Sequence, residues 1–148
     1  MATITVSNQI AAPVAAVFAR FTDLEGSPAR VSGIKSIEIL TTGRFGPMTR
    51  WRETREVLGR LDTADMEVTA FERDRTYTIT HHKLAARIDT VFTFEPLDGG
   101  TRVTVELRLT GSGLPPGLLA PIEWAIAGTV RDVLSQDLSD LKESIPAT

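Results

Sequence analysis

"RIDTVFTFEPLDGGTRVTVELRLT", residues 87–110, decides the fold class. Ile88, Phe92 and Phe94 alternate with Asp89, Thr93 and Glu95. Beyond the turn signal "DGG", Val103, Val105, Leu107 and Leu109 alternate with Thr104, Glu106 and Arg108. A period of two places the apolar side chains on one face of a pleated pair. The β-branched and aromatic residues suit that half-buried surface. The pair therefore belongs to an antiparallel sheet with one solvated face, and its apolar face needs a cover.

Working outward, the same period reaches back to Ile34. It predicts strands in "IKSIEILT", "TRWRETREV", "ADMEVTAFE" and "TYTITHH", separated by "TTGRFGP", "LGRLD" and "RDR"; "KLAA" before Arg87 is a poor turn signal. Near the N-terminus, Ile4, Val6, Asn8 and Ile10 alternate with Thr5, Ser7 and Gln9, which predicts one more strand. Pro13 suits the first turn of a helix, and Val14, Val17, Phe18 and Phe21 follow at helical spacing. A second short helix is expected with Ser27 as N-cap and Pro28 next, ending by Gly33. After the helix-breaking "GSGLPPG", Ile122, Ile126, Val130, Val133, Leu134, Leu138 and Leu141 trace an apolar stripe from about Leu118 to Ile145. Such a helix is on the order of 40 Å long, enough to cross the sheet. Gly128 falls opposite the stripe. The expected architecture is α+β: a seven-stranded curved antiparallel sheet wrapped around a long C-terminal helix, with two short helices after the first strand.

The bulk numbers narrow the function. A chain of 148 residues is most simply one domain, 1–148, able to bury roughly 70% of its unfolded surface. It has no cysteine, so thiolate nucleophiles, disulfides and cysteine-based zinc sites are excluded. Its 16 basic and 19 acidic residues are interspersed, so no basic strip exists to recruit nucleic acid. "MATITVSNQI" lacks a charged start followed by an apolar stretch, and no run approaches the ~20 apolar residues that span a bilayer. The expectation is a soluble cytoplasmic protein, with room for transient membrane contact and for a homodimer.

The element order, with "APVAAVFARFTD", "IKSIEIL", "RWRETREV", "MEVTAFERDRTYTI", "GGTRVTVELRL" and "DLSDLKESI", resembles the START-type helix-grip superfamily (SRPBCC). Within it, the chain is most similar to small bacterial polyketide cyclase/dehydrase-like and lipid-transport-like proteins. The resemblance covers essentially the whole chain. It implies a cavity between sheet and long helix, in a group that includes lipid carriers, ligand receptors and cyclases. Many relatives carry an aromatic residue where this chain reads "PARVSGI", which implies a more open or differently shaped wall there.

Strand phase then selects candidate residues. In "RWRETREV", Trp51 and Val57 mark the inward face and bring Glu53 and Arg55 with them. A turn near Gly59 to Leu61 would set Arg55 opposite Met66 and Glu53 opposite Val68. A turn at Asp74 would set Met66, Val68 and Ala70 against His81, Ile79 and Tyr77. Ile88 and Leu109 then extend the His81 row, and Thr90 and Leu107 the Glu53 row. On this register Arg55 and His81 share a row about 10 Å apart. The candidate ligand-binding residues are Trp51, Glu53, Arg55, Met66, Val68, Tyr77, Ile79, His81, Thr90, Phe92, Val105 and Leu107 on the sheet, and Val130 and Leu134 on the helix.

A greasy concavity with few convergent polar groups is what a small-molecule site looks like. Glu53 and Arg55 either neutralise each other as a structural pair or form the polar end of such a site. "GSGLPPG" has prolines where a phosphate cradle needs N–H groups. His81 and His82 point to opposite faces, so they do not share a metal, and no serine falls on the inward rows to act as a nucleophile. No cofactor is expected. Three functions stay open: binding or transport of a hydrophobic small molecule (a lipid, isoprenoid or aromatic polyketide-like compound); a cyclase/dehydrase-type enzyme with Arg55 polarising a ketone and Glu53 or His81 moving protons; and a protein-interaction module, for which the sequence offers no aromatic-rich exposed patch.

Overall fold

The alternating segments zip into a single sheet in a computed structural model of the chain. The elements are β1 (Ala2–Ile10), α1 (Val14–Phe21), α2 (Ser27–Arg30), β2 (Ile34–Ile39), β3 (Arg50–Val57), β4 (Arg60–Glu72), β5 (Thr76–Lys83), β6 (Ala86–Leu97), β7 (Gly100–Gly111) and α3 (Pro116–Ser144). The structure describes residues 2–83, 86–111 and 116–147, with side chains for 3–83, 86–111 and 128–147. The seven strands are antiparallel in the order β1-β7-β6-β5-β4-β3-β2. This is the helix-grip fold. No described helix is long and apolar enough to cross a membrane.

Turn chemistry sets the register, and it holds across β5, β6 and β7. His81 faces Ile88, Ile79 faces Thr90 and Tyr77 faces Phe92; Ile88, Thr90 and Phe92 in turn face Leu109, Leu107 and Val105. The β3–β4 pairing departs from expectation. Val57 pairs with Arg60, so only Leu58 and Gly59 turn the chain, both at positive φ (53° and 76°). Two successive left-handed residues make the tightest hairpin. This moves the pairing by four residues: Arg55 faces Asp62, Glu53 faces Ala64, and Trp51 faces Met66. Arg55 is therefore not in the His81 row; Trp51 and Met66 are. A bulge between Val68 and Ala70 makes a second correction, since Phe71, not Ala70, faces Tyr77.

Aromatic rings fill the sheet's face beneath α1. Phe18 meets Phe71, Tyr77 and Phe94 edge-on at centroid distances of 5.8, 5.8 and 5.1 Å, and Tyr77 stacks on Phe92 at 4.6 Å. On α3, Leu134, Leu138 and Leu141 are buried in the same core, with Val130 half-buried beside it. Polar ties fix this end of the helix: Asp140 accepts from the Ser32 N–H (3.0 Å) and hydroxyl (2.9 Å), Arg131 donates to the Thr5 carbonyl (3.0 Å), and Arg20 donates to the Ser144 carbonyl. Gly128 is exposed, and a Cβ there would meet nothing. Ser27 lies inside α2 instead of capping it, donating its hydroxyl to the Asp23 carbonyl (3.0 Å), because Gly26 occupies the cap position. The side chains of Ile122 and Ile126, Leu84 and Ala85 of "KLAA", and residues 112–115 lie outside the described residues.

Candidate functional site

β3 carries the polar part of the inward face. Trp51 (1% exposed) donates from Nε1 to Glu53 Oε1 at 3.2 Å. Arg55 donates from Nε to Glu53 Oε2 at 2.9 Å, and from Nη1 and Nη2 to Asp137 Oδ1 and Oδ2 at 3.2 and 2.7 Å. The guanidinium thus bridges a carboxylate on its own strand and one on α3, the latter in bidentate geometry. Gly33 makes room for it: a Cβ there would lie 3.1 Å from Arg55 Nη1.

Two carboxylates share one guanidinium, and their electrostatics differ accordingly. Burial works against the Arg55 charge, but Asp137 and Glu53 outweigh it and hold the guanidinium above its ordinary range. Asp137 is pushed up, chiefly by burial, because Arg55 offsets the loss of solvent only in part and Glu53 adds repulsion. The cluster therefore secures the cation more firmly than it secures the second anion. Nearby on the same side of the sheet, Lys83 Nζ binds Asp62 Oδ2 at 2.6 Å. His81 is pushed down by burial, with Glu53 acting in the opposite sense, so the neutral imidazole is favoured.

Accessible surface divides the fourteen candidates. Trp51, Val68, Tyr77 and Val105 expose at most 2% each, and burial drives the Tyr77 phenol upward as well. Glu53 and Leu134 are also buried. These six form the packed layer. Met66, Ile79, Thr90, Phe92 and Leu107 on the sheet, Val130 on α3, and His81 and Arg55 keep part of their surface accessible. This second set is the less tightly packed part of the face, where a ligand meets the protein first.

Asp137 escaped the sequence reading, although it sits three residues after Leu134 and four before Leu141, in phase with the apolar stripe. An acid at that phase signals a buried partner on the facing sheet. On the opposite side of the sheet a polar groove of about 330 Å³ is lined by Arg50, Asp65, Glu67, Thr69, Thr80, His82 and Arg87, with Met66 also contributing to its wall. Its charges are satisfied locally, Arg50 by Glu67 and Arg87 by Asp89. His82 is thus separated from His81 by the sheet. Among the described residues no cluster of His, Asp or Glu offers three metal ligands.

Comparison with known proteins follows the same lines. The family described as polyketide cyclase / dehydrase and lipid transport matches residues 1–145. A Thermus thermophilus protein superposes with a TM-score of 0.79 at 19% identity, over 96% of this chain and 95% of that one. A START superfamily protein from Mycobacterium smegmatis gives 0.77 at 18% identity, over 97% and 96%. The Zhui aromatase/cyclase from Streptomyces gives 0.75 at 17% identity, over 97% and 92%. At these identities the likeness speaks for the fold. No curated protein matches the sequence.

Proposed function

Because the chain belongs to the polyketide cyclase / dehydrase and lipid transport family, we propose that it binds an apolar small molecule, a lipid, isoprenoid or aromatic polyketide-like compound, between the sheet and α3. The observation that carries this reading is the strip of partly accessible apolar side chains, Met66, Ile79, Phe92, Leu107 and Val130, on a face otherwise packed shut. Such a strip gains about 25 cal/mol for each Å² of apolar surface that a ligand removes from water. The Glu53–Arg55–Asp137 cluster bounds its polar end.

The likeness to an aromatase/cyclase favours a second reading, in which Arg55 polarises a ketone and His81 moves a proton. Its difficulty is that Arg55 already donates through Nε, Nη1 and Nη2 to carboxylates. Binding requires no such release, which ranks it first.

Titration with the neutral probe N-phenyl-1-naphthylamine tests the proposal. Saturable one-to-one fluorescence enhancement is expected, and Leu107→Trp, which adds bulk to the strip, should weaken it by about tenfold or more, some 1.4 kcal/mol. A folded Leu107→Trp protein that binds the probe unchanged refutes the assignment of the strip. Native mass spectrometry of freshly purified protein, followed by organic extraction, identifies what it carries from the cell.

A further inference from the structure

His81 Nδ1 is buried without a hydrogen-bond partner, the only such side-chain atom among the described residues. Buried polar atoms in folded proteins are nearly always paired, so this orphan beside the accessible strip calls for a partner, which a ligand atom can supply. His81 projects from β5 with Ile88 facing it on β6, and Met66 on β4 lies one step beyond the Glu67–Thr80 pair toward it. These neighbours offer the ring no polar group. A neutral imidazole presents one N–H and one acceptor nitrogen, and a hydroxyl can pair with either.

The charges nearby disfavour an anionic head. Arg55 is engaged by Glu53 and Asp137, and Lys83 by Asp62. Residues 84, 85 and 112–127 contain no lysine or arginine, so those segments add no cation. A carboxylate or phosphate entering here would find no free positive charge, and it would face a cluster with two acids for one guanidinium. Resting on the reading that the grip holds an apolar small molecule, we propose that its ligand is a neutral hydroxylated compound, a phenol or an alcohol, whose hydroxyl bonds His81 Nδ1 while its carbon frame lies along Met66, Ile79 and Leu107. The protein thereby discriminates against fatty acids and other anionic lipids.

Three probes with one carbon frame separate the terms: naphthalene, 2-naphthol and 2-naphthoate, titrated at pH 7 into the full chain and into His81→Phe. The wild-type protein should bind 2-naphthol about tenfold or more tighter than naphthalene, a margin of some 1.4 kcal/mol, and 2-naphthoate more weakly than either. His81→Phe should keep naphthalene binding and lose the preference for 2-naphthol. In ¹⁵N spectra of the wild-type protein, the His81 ring nitrogens should shift with 2-naphthol and not with naphthalene. A hydroxyl preference that survives His81→Phe, a wild-type preference for 2-naphthoate, or 2-naphthol binding that leaves the His81 nitrogens unmoved overturns this inference while leaving the apolar grip intact. Failure of all three probes to bind overturns both. If His81→Phe does not fold, the ¹⁵N measurement decides.

Discussion

Replacing Arg55 with Met and, separately, Asp137 with Asn should have unequal costs, although each removes one member of the same bidentate pair. Asp137→Asn leaves Glu53 and Arg55 as a one-to-one pair at 2.9 Å, and the new amide oxygen still accepts from the guanidinium. Arg55→Met leaves two carboxylates, their side chains 10% and 20% exposed, with Trp51 Nε1 donating to the first alone. Stranding a buried charge typically costs about 3–5 kcal/mol. Residual solvent contact places Arg55→Met near the lower end, about 3 kcal/mol, against about 1 kcal/mol or less for Asp137→Asn. At about 3 °C per kcal/mol for a chain of this size, melting temperature should fall by about 10 °C and by no more than about 3 °C. The pH dependence has a definite sign. Asp137 is raised by burial above its unfolded value of 3.8, so its contribution is complete below that pH and is lost as pH rises through the folded value. Asp137→Asn lacks this loss, so its stability relative to wild type should improve from about pH 4 to pH 7. Urea unfolding followed by tryptophan fluorescence measures all of this. A triple variant, Glu53→Met, Arg55→Leu and Asp137→Leu, should recover most of the Arg55→Met loss, because apolar groups replace buried ion clusters at little cost. Equal losses for the two single variants at pH 7, or a relative stability of Asp137→Asn that worsens as pH rises, would refute the two-acids-to-one-base account.

Two further outcomes test the frame that holds the site. Leu58 sits at φ 53° in the β3–β4 turn and is 84% exposed, so Leu58→Asn should raise the melting temperature by about 3 °C, since Asn tolerates the left-handed region; a fall would show that the leucine makes contacts that matter. Gly100 admits no Cβ because one would overlap the Ile10 carbonyl oxygen, a backbone atom that cannot swing away. Gly100→Ala should therefore cost more than about 2 kcal/mol in urea unfolding, and ready tolerance would contradict the close approach of β7 to the end of β1.

Legibility in the sequence followed the chemistry of the turns. Between β6 and β7, "DGG" marks a turn for which glycine is suited, and the pairing of Ile88 with Leu109 and of Thr90 with Leu107 could be counted from it. Between β3 and β4 the turn is "LG", with leucine in a conformation that usually selects Asn, Asp or Gly. A reader placing the turn by residue preference puts it one or two positions late, and each position of delay moves the pairing by two. Strand phase survived that error because Trp51, Glu53 and Arg55 alternate regardless of what stands opposite, so the inward direction of the acid and base was readable while their partners were not. The bulge at Val68/Ala70 had no sequence mark except the outcome: without it, Phe71 would face away from Phe18 and Tyr77.

Asp137 is the more instructive omission. Helical stripes are found by looking for apolar residues, so an acid at the core phase between Leu134 and Leu141 drops out of the search for being polar, which is the property that makes it informative. An unpaired acid there would be expelled or neutralised, so its presence at that phase calls for a cation on the facing sheet. Arg55 was already known to face inward, and only one inward arginine lay on β3. Joining the two would have located the polar end of the grip from the sequence, and would have replaced a pair of opposite charges with a triad carrying one acid too many. That excess changes the functional reading: a lone Glu53–Arg55 pair leaves guanidinium donors free to receive an anionic head, whereas Arg55 held from both sides leaves the orphan nitrogen of His81 as a buried polar atom still to be met.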